Sequence, residues 1–270
     1  MLEKKIGFIG CGNMARAIIS GLVNSGLIAP TNILVWDRKA ETNQQMAQQY
    51  GISAAESAEA LAREADILFG AVKPDVILKV LSDLAGVMKK DALVVSIAAG
   101  VTLDSLAGVL GHDRKIVRVM PNTPALVNEG MTSVTPNVLV EPQEVDDIVT
   151  IFESFGKAAV VKEYLIHAVV GVSGSAPAYV FMFIEAMADA AVLGGMPRAQ
   201  AYEFAAQAVK GAAQMVIETG THPAELKDQV CSPGGTTIEA VKALEENGFR
   251  AAVMNAMQRC MAKSEALSKA

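Results

Sequence analysis

The residues at positions 6 to 15 have the types and the spacing that bind a dinucleotide. The apolar run Ile6–Ile9 leads directly into Gly10-Cys11-Gly12-Asn13-Met14-Ala15, a G-x-G-x-x-A pattern. In this pattern the first glycine permits a tight turn, the second lets the backbone approach a pyrophosphate, and the small last residue allows close helix–sheet packing. Apolar residues at helical spacing follow, so the N–H groups of a helix start are expected to face the phosphates. We predict that the cofactor contacts Ile9, Gly10, Cys11, Gly12, Asn13 and Met14.

The end of the second predicted strand carries charged residues that bear on the choice of cofactor. Asp37 ends the run at 32–37, and Arg38 and Lys39 come next. An acidic residue at this position binds a ribose 2′-OH and favours NAD, whereas basic residues bind the 2′-phosphate of NADP. The sequence leaves this choice open. We include Asp37 and Arg38 in the predicted cofactor site.

Two more strand ends are expected at the same edge of the sheet, where ligands bind in open α/β sheets. One lies at the end of the predicted strand at 66–72, where Lys73 is expected at the mouth of the cleft. The other closes the predicted strand at 93–98 with small side chains, which leave room for a cofactor ring. These ends add Ala71, Val72, Lys73, Pro74, Ala98 and Ala99 to the predicted cofactor site.

The loop at 232–237 has the composition of a site for a small carboxylate. Two glycines and two threonines precede a predicted helix, so backbone N–H groups and hydroxyls converge there. The same loop fits a capping box, Thr236-x-x-Glu239, and both roles stay open. A further loop at 120–124 is held extended by two prolines and offers the amide of Asn122 to a ligand. The predicted substrate-binding residues are Asn122, Gly234, Gly235, Thr236 and Thr237.

The sequence predicts neither a metal site nor a catalytic nucleophile. The three histidines are far apart and lack nearby carboxylates or cysteines at ligand spacing: His112, His167 and His222. A G-x-S-x-G pattern is absent from the sequence. Cys231 adjoins the glycine-threonine loop, where we interpret it as a small packing residue. The catalytic residue, if there is one, is unknown from the sequence.

Composition narrows the class of protein. The 270 residues include 23 basic and 29 acidic side chains, a net charge of −6, which argues against nucleic-acid binding. Three widely spaced cysteines without a C-x-x-C pattern favour a reducing compartment. The uncharged stretch 164–184 is interrupted by glycine, serine and proline, so we interpret it as a buried loop and helix start. The first residues enter a strand without room for a signal peptide, and we expect a cytoplasmic protein.

The predicted secondary structure changes near residue 163. Before it, continuous apolar runs alternate with amphipathic helices, which predicts a parallel sheet covered on both faces. One such helix, at 75–84, carries the apolar stripe Val76, Ile77, Val80, Leu81 and Leu84. After residue 163 only helical patterns follow. We therefore predict an α/β protein with a dinucleotide-binding domain at 1–162 and an all-helical domain at 163–270. Helices so rich in alanine favour a dimer through the helical domain.

Six motifs, taken in order, match one family along the whole chain. They are Gly7–Met14, Ala71–Pro74, Ser96–Thr102, Met120–Pro124, Gly171–Tyr179 and Lys227–Thr237. Together they resemble pyrroline-5-carboxylate reductase, and the segment at 232–237 is highly specific to that family. Two positions depart from it. Ala176 replaces a common glycine, and Asp37 suits a 2′-phosphate less well than the small polar residue of some members.

This resemblance implies reduction of 1-pyrroline-5-carboxylate to L-proline by NADPH or NADH. It implies a Rossmann domain followed by a helical dimerisation domain, with dimers assembling into rings that are often decamers. It also implies that 10–14 bind the pyrophosphate and that 71–74 line the cofactor cleft. The substrate carboxylate would be held by Thr236, Thr237 and the Gly234-Gly235 backbone.

Two other functions compete with this hypothesis. A two-domain hydroxyacid dehydrogenase would carry a K-x-x-x-N pair on a helix of the second domain, but the only such spacing is Lys39 to Asn43, in the first domain. A non-catalytic nucleotide sensor could keep the fold, yet it would not need the loop at 232–237. Turnover of the imine distinguishes the sensor from the enzyme.

Overall fold

The computed structural model describes residues 2–269. The chain forms two compact units. The first contains the described residues up to Ser175 together with those from Cys260 onward, and the second is Ala176–Arg259. The domain division predicted after residue 162 stays a prediction.

The first unit is built on an eight-stranded sheet in the order β3-β2-β1-β4-β5-β6-β7-β8. The strands are β1 (Ile6–Ile9), β2 (Ile33–Trp36), β3 (Ser53–Ala54), β4 (Ile67–Gly70), β5 (Leu93–Ser96), β6 (Ile116–Met120), β7 (Gly130–Pro136) and β8 (Gly156–Val160). Strands β1, β2, β4 and β5 lie at the runs 6–9, 32–37, 66–72 and 93–98, where the sequence predicts strands. The expectation of a purely parallel sheet is wrong at β7, which is antiparallel to β6. The loop between these two strands is too short for a crossover, so the chain turns straight back.

Twelve α-helices occur among the described residues. In the first unit they are α1 (Asn13–Ser25), α2 (Ala40–Tyr50), α3 (Ala58–Glu64), α4 (Pro74–Leu84), α5 (Leu103–Leu110), α6 (Pro142–Glu153) and α7 (Ile166–Val169). From Ala176 onward they are α8 (Ala176–Leu193), α9 (Arg198–Thr219), α10 (Pro223–Val230), α11 (Thr236–Glu246) and α12 (Phe249–Ser268). A π-helical turn, Val170–Gly174, follows α7.

Helices α3 and α5 were not predicted, because neither is long enough to show a clear apolar period. Their N-terminal caps are the signal that marks them. The Ser57 side chain accepts a hydrogen bond from the N–H of Ala60, and that of Thr102 accepts one from Ser105. Such caps satisfy backbone donors that the first turn of a helix leaves free.

Apolar side chains cover both faces of the sheet. On one face the ring of Phe8 stacks on that of Phe69 with 4.7 Å between centroids, and Phe152 of α6 meets Phe69 edge-on. On the other face Ile77 and Leu81 of α4 are fully buried. Central strands covered on both sides explain why the runs in the sequence are continuous rather than alternating.

A partly buried ion pair joins β6 to the segment that precedes α7. The Arg118 guanidinium, only 4% exposed, donates to Glu163 Oε1 at 2.9 Å. The same oxygen accepts the backbone N–H of Leu103 at 2.8 Å, at the start of α5. Because a buried charge requires a partner, this pair fixes the segment after Glu163 against the sheet.

The second unit is helical throughout, and its apolar side chains are largely uncovered in the single chain. Phe181 is 62% exposed and Met182 is 69% exposed on α8, and Phe204 of α9 is 63% exposed. The helical stretch Glu163–Leu193 also has the length and mean hydropathy of a candidate membrane span. By length and composition alone this is a weak indication, which core helices of non-membrane proteins also give.

Gly21 of α1 gives a direct test of this packing. A Cβ atom there would lie 2.3 Å from the Phe155 ring, so Gly21→Ala must displace the ring or the helix. We expect the free energy of unfolding to fall by about 1–3 kcal/mol, as for other overpacked cores. Urea titration followed by circular dichroism measures it.

The matched control is Gly108→Ala in α5, where an added Cβ meets nothing within 4 Å. There alanine should stabilise the helix by up to about 1 kcal/mol. Equal effects of the two substitutions would contradict the packing of α1 described here.

Candidate active site

The loop between β1 and α1 has the backbone geometry of a phosphate-binding turn. Gly10 has a φ of +97°, and a Cβ added there would lie 2.6 Å from the carbonyl oxygen of Ala71. At Gly12 an added Cβ meets nothing within 4 Å, so the space above it is open. Gly12 is the N-cap of α1 and provides no side-chain cap. The first N–H groups of α1 are therefore available to an anion.

Most of the predicted cofactor residues line one cleft of about 620 Å³ in the first unit. Those on its wall are Ile9, Gly10, Cys11, Gly12, Asp37, Arg38, Ala71, Val72 and Lys73. The wall also includes Trp36 and, on α4, residues that the sequence analysis did not assign to a site: Asp75, Val76, Lys79, Val80 and Asp83. The apolar stripe of α4 was predicted as one face, but only Ile77, Leu81 and Leu84 are buried, while Val76 and Val80 line the cleft.

The other predicted cofactor residues lie outside that wall. Asn13 and Met14 are the first residues of α1, and Pro74 is the first residue of α4. Ala98 is buried, 4% exposed, after β5. Ala99 lines a separate cavity of about 220 Å³. The contacts of these five residues with a cofactor stay predictions.

The carboxylate of Asp37 is bound to the backbone of the site. Its Oδ2 accepts the N–H of Cys11 at 3.1 Å, and its Oδ1 accepts the N–H of Lys39 at 3.1 Å. The next residue, Arg38, is exposed on the same wall. The acidic and the basic group that the sequence could not rank therefore differ in their contacts: the carboxylate accepts two backbone N–H groups, whereas the Arg38 side chain is exposed.

Cys11 is a packing residue of the loop, with its side chain 3% exposed. Burial and, to a smaller extent, the Asp37 carboxylate raise the pKa of its thiol to about 12. The thiol is therefore neutral at physiological pH and a poor nucleophile. Cys11 can therefore contact a ligand through its backbone but not through its thiol.

Asn122 joins three pieces of chain next to the carboxyl end of β6. It is 8% exposed. Its Oδ1 accepts the N–H of Met131 at 2.8 Å, and its Nδ2 donates to the carbonyl of Ser173 at 3.0 Å. The amide thus ties the start of β7 to the π-helical turn, a role that the sequence did not reveal. Direct contact of Asn122 with substrate stays a prediction.

The loop before α11 forms a tight turn that ends in an open helix start. The N–H of Gly235 donates to the carbonyl of Ser232 at 3.0 Å, and Gly234 has a φ of +66°. Proline at the second position and glycine at the third are typical of a type II turn. A Cβ on Gly235 would lie 2.3 Å from Ser232 Oγ, so a side chain there would require the Ser232 hydroxyl to move.

The capping box proposed for Thr236 and Glu239 is wrong. Helix α11 starts at Thr236 itself, its N-cap is Gly235, and no side chain caps it. The proline turn carries the chain into the helix one residue earlier than the capping box requires, so Thr236 is the first helical residue and not the N-cap. The first N–H groups of α11 therefore lack a side-chain cap and lie beside the hydroxyl-bearing residues Thr236 and Thr237.

Within residues 2–269, no group of three or more His, Cys, Asp or Glu side chains is placed so that it could hold a metal ion. The prediction of a site without metal is therefore kept as a prediction. The chemistry that the cleft and the loop can do is anion binding, through backbone N–H groups and hydroxyls.

Comparison with known proteins identifies both halves of the chain. A family model described as pyrroline-5-carboxylate reductase dimerisation matches residues 163–267. A second model, described as NADP oxidoreductase, coenzyme F420-dependent, matches residues 5–100.

Similarity to individual proteins extends over the full length. The chain is 66% identical over 268 residues to pyrroline-5-carboxylate reductase of Escherichia coli K12, covering 99% of this chain and 100% of that one. The solved structure of a pyrroline-5-carboxylate reductase from Coxiella burnetii superposes with a TM-score of 0.94 at 34% identity, covering 100% of both chains. The Plasmodium falciparum enzyme, crystallised with NADP bound, gives 0.88 at 34% identity over 99% of each. The chain belongs to the pyrroline-5-carboxylate reductase family.

Proposed function

We propose that this chain reduces 1-pyrroline-5-carboxylate to L-proline, the final step of proline biosynthesis, with a hydride from NADPH or NADH. The observation that carries the proposal is the full-length identity of 66% to an enzyme of that name. The open glycine loop and the cleft beside it are the site that such an oxidoreductase requires.

The cofactor binds along the carboxyl edge of the sheet in the first unit. The pyrophosphate lies over the open space at Gly12 and accepts N–H groups from 10–14, at the positive end of the α1 dipole. Residues 71–74 form the opposite wall, with Lys73 near the phosphates. Ala98 and Ala99 keep side chains small where the nicotinamide ring approaches.

The substrate is held by its carboxylate at the start of α11. The N–H groups that follow Gly235, at the start of α11, and the hydroxyls of Thr236 and Thr237 are donors for this anion, while the Gly235 N–H itself is used in the turn. Preorganised donors of this kind stabilise charge more effectively than water does. In this arrangement the bound substrate carboxylate orients the pyrroline ring.

The chemistry needs alignment more than it needs an acid. A protonated imine is already an electrophile: the hydride adds to its carbon, and the C=N electron pair returns to nitrogen to give the amine. Holding the nicotinamide C4 against that carbon is worth roughly 7–11 kcal/mol in comparable intramolecular reactions. This accounts for a site in which we assign no residue as proton donor.

The working enzyme is a cytoplasmic homo-oligomer, a dimer through the helical domain, and dimers assemble into a decamer. The exposed apolar side chains of α8 and α9 support the dimer, because surfaces this apolar are normally covered. The match of residues 163–267 to a dimerisation model supports it independently. We propose no membrane and no nucleic-acid partner.

Activity is tested by following oxidation of NADPH and of NADH at 340 nm after 1-pyrroline-5-carboxylate is added. The proposal predicts turnover and stoichiometric formation of proline. Binding of cofactor without any turnover would instead favour the non-catalytic sensor.

Thr237→Val tests the carboxylate site. Loss of a hydroxyl that bonds a charged group should raise the KM for the imine by about tenfold or more and leave the KM for the cofactor nearly unchanged. Steady-state kinetics with each substrate varied in turn measures both constants. Thr150→Val, an exposed threonine of α6, is the control and should match the wild type. Equal changes in both KM values would refute the role of Thr237.

Phe181→Glu tests the dimer. Burying an unpaired carboxylate in an apolar interface is costly, so the variant should not dimerise. Its molar mass by light scattering should therefore be smaller than that of the wild type. Val138→Glu, at a residue 99% exposed in the first unit, is the control and should keep the wild-type mass. A monomeric wild type, or an unaltered mass for Phe181→Glu, would contradict the proposal.

A further inference from the structure

The carboxylate of Asp37 is the most firmly held charged group on the cleft wall. Each of its oxygens accepts a backbone N–H, from Cys11 in the glycine loop and from Lys39 at the start of α2. Main-chain donors fixed in a turn and a helix start cannot rotate away as a side chain can. The carboxylate therefore has one position, at the junction of the loop and the second strand.

The backbone of Asp37 is clamped as well. Asn43 of α2, 9% exposed, accepts the N–H of Asp37 at its Oδ1, 2.6 Å away, and donates from Nδ2 to the carbonyl of Asp37 at 2.9 Å. One amide thus satisfies both main-chain groups of the residue that ends the strand. Asn43 does not line the cleft. Its effect on a ligand must pass through Asp37.

A fixed carboxylate distinguishes two classes of dinucleotide. An ionised carboxylate has about four acceptor positions, and the two N–H groups leave the others for ribose hydroxyls. A 2′-phosphate at the same place meets a like charge. In addition, the Lys39 N–H, which a phosphate could use at the start of α2, is already taken by the carboxylate.

The cations nearby do not offset this arrangement. The side chain of Arg38 is exposed on the cleft wall and makes no ion pair among the described residues. Lys79, further along the wall, is paired with Asp83 at 2.8 Å. An exposed guanidinium must lose side-chain entropy and water to bind a phosphate, whereas the Asp37 carboxylate is already held in position, so the repulsion by Asp37 outweighs the attraction by Arg38.

We propose that Asp37 selects the cofactor and that this enzyme prefers NADH to NADPH, with Asn43 as the positioning residue that holds Asp37. The inference rests on the proposed function for the identity of the reaction. The inference goes beyond the proposed function because it names the preferred ligand class, a dinucleotide with a free 2′-hydroxyl. It also names the two residues that determine the cofactor preference.

The test is the ratio of kcat/KM for NADH to kcat/KM for NADPH in the wild type, Asp37→Asn and Asp37→Ser. The wild-type ratio should exceed one. Both variants should lower it by about tenfold or more, because a like charge beside the 2′-phosphate is removed. Asp146→Asn is the control: it removes an exposed carboxylate of α6, outside the cleft wall, and should leave the ratio unchanged. A wild type that prefers NADPH, or a ratio that neither Asp37 variant alters, overturns the inference.

Asn43→Ala separates positioning from general stability. If Asn43 acts through Asp37, calorimetry should show weaker binding of NAD⁺ with little change for NADP⁺. Adding Asp37→Ser should then have less effect on the ratio than it has alone. Equal weakening of both dinucleotides would show that Asn43 has only a structural role and would remove it from the proposal. Because these titrations need no imine, they decide the cofactor preference even if the chain fails to turn over 1-pyrroline-5-carboxylate.

Discussion

The junction of strands β1, β2 and β4 at the edge of the cleft depends on one close approach, between Gly10 and the carbonyl of Ala71. With a φ of +97° and a neighbouring oxygen 2.6 Å from where a Cβ would lie, this position admits glycine alone. Backbone bonds complete the junction: the Gly10 N–H donates to Trp36, and the Ala71 N–H donates to Ile9. Three strand ends are thereby tied together, and beside them lies the cleft that we propose as the cofactor site.

The sequence predicts this part of the molecule well because its constraints are local. A glycine forced by backbone conformation, an apolar run long enough to cross a sheet and a helix that starts at a known spacing all leave marks within about fifteen residues. The direction of β7 cannot be predicted from a local pattern, because it depends on the path of the loop between β6 and β7. The short helices α3 and α5 fall below the length at which periodicity is informative, although Ser57 and Thr102 mark their starts.

For the site, the sequence names the residues but not their partners. It gives Asp37 and Arg38 with opposite implications, and only the N–H groups that reach Asp37 from Cys11 and Lys39 distinguish a held charge from a free one. It offers Asn122 as a ligand group, whereas most of that amide is used to join β7 to the π-helical turn. It suggests a capping box at Thr236, which the actual helix start excludes. For Asp37 and Asn122 the missing facts include contacts between residues far apart in sequence, with Cys11 and with Ser173. For Thr236 the missing fact is the local turn that sets the start of the helix.

In the proposed function, a glycine loop binds the pyrophosphate and a helix start binds the substrate carboxylate, and the reaction requires chiefly that the two ligands be oriented. The most direct measurement is a crystal structure of the enzyme with NADH and L-proline. We expect the pyrophosphate over Gly12, the adenosine ribose hydroxyls at Asp37, and the proline carboxylate at the N–H groups and hydroxyls that begin α11. A dinucleotide bound outside the cleft, or a proline carboxylate remote from Thr236 and Thr237, would contradict the account.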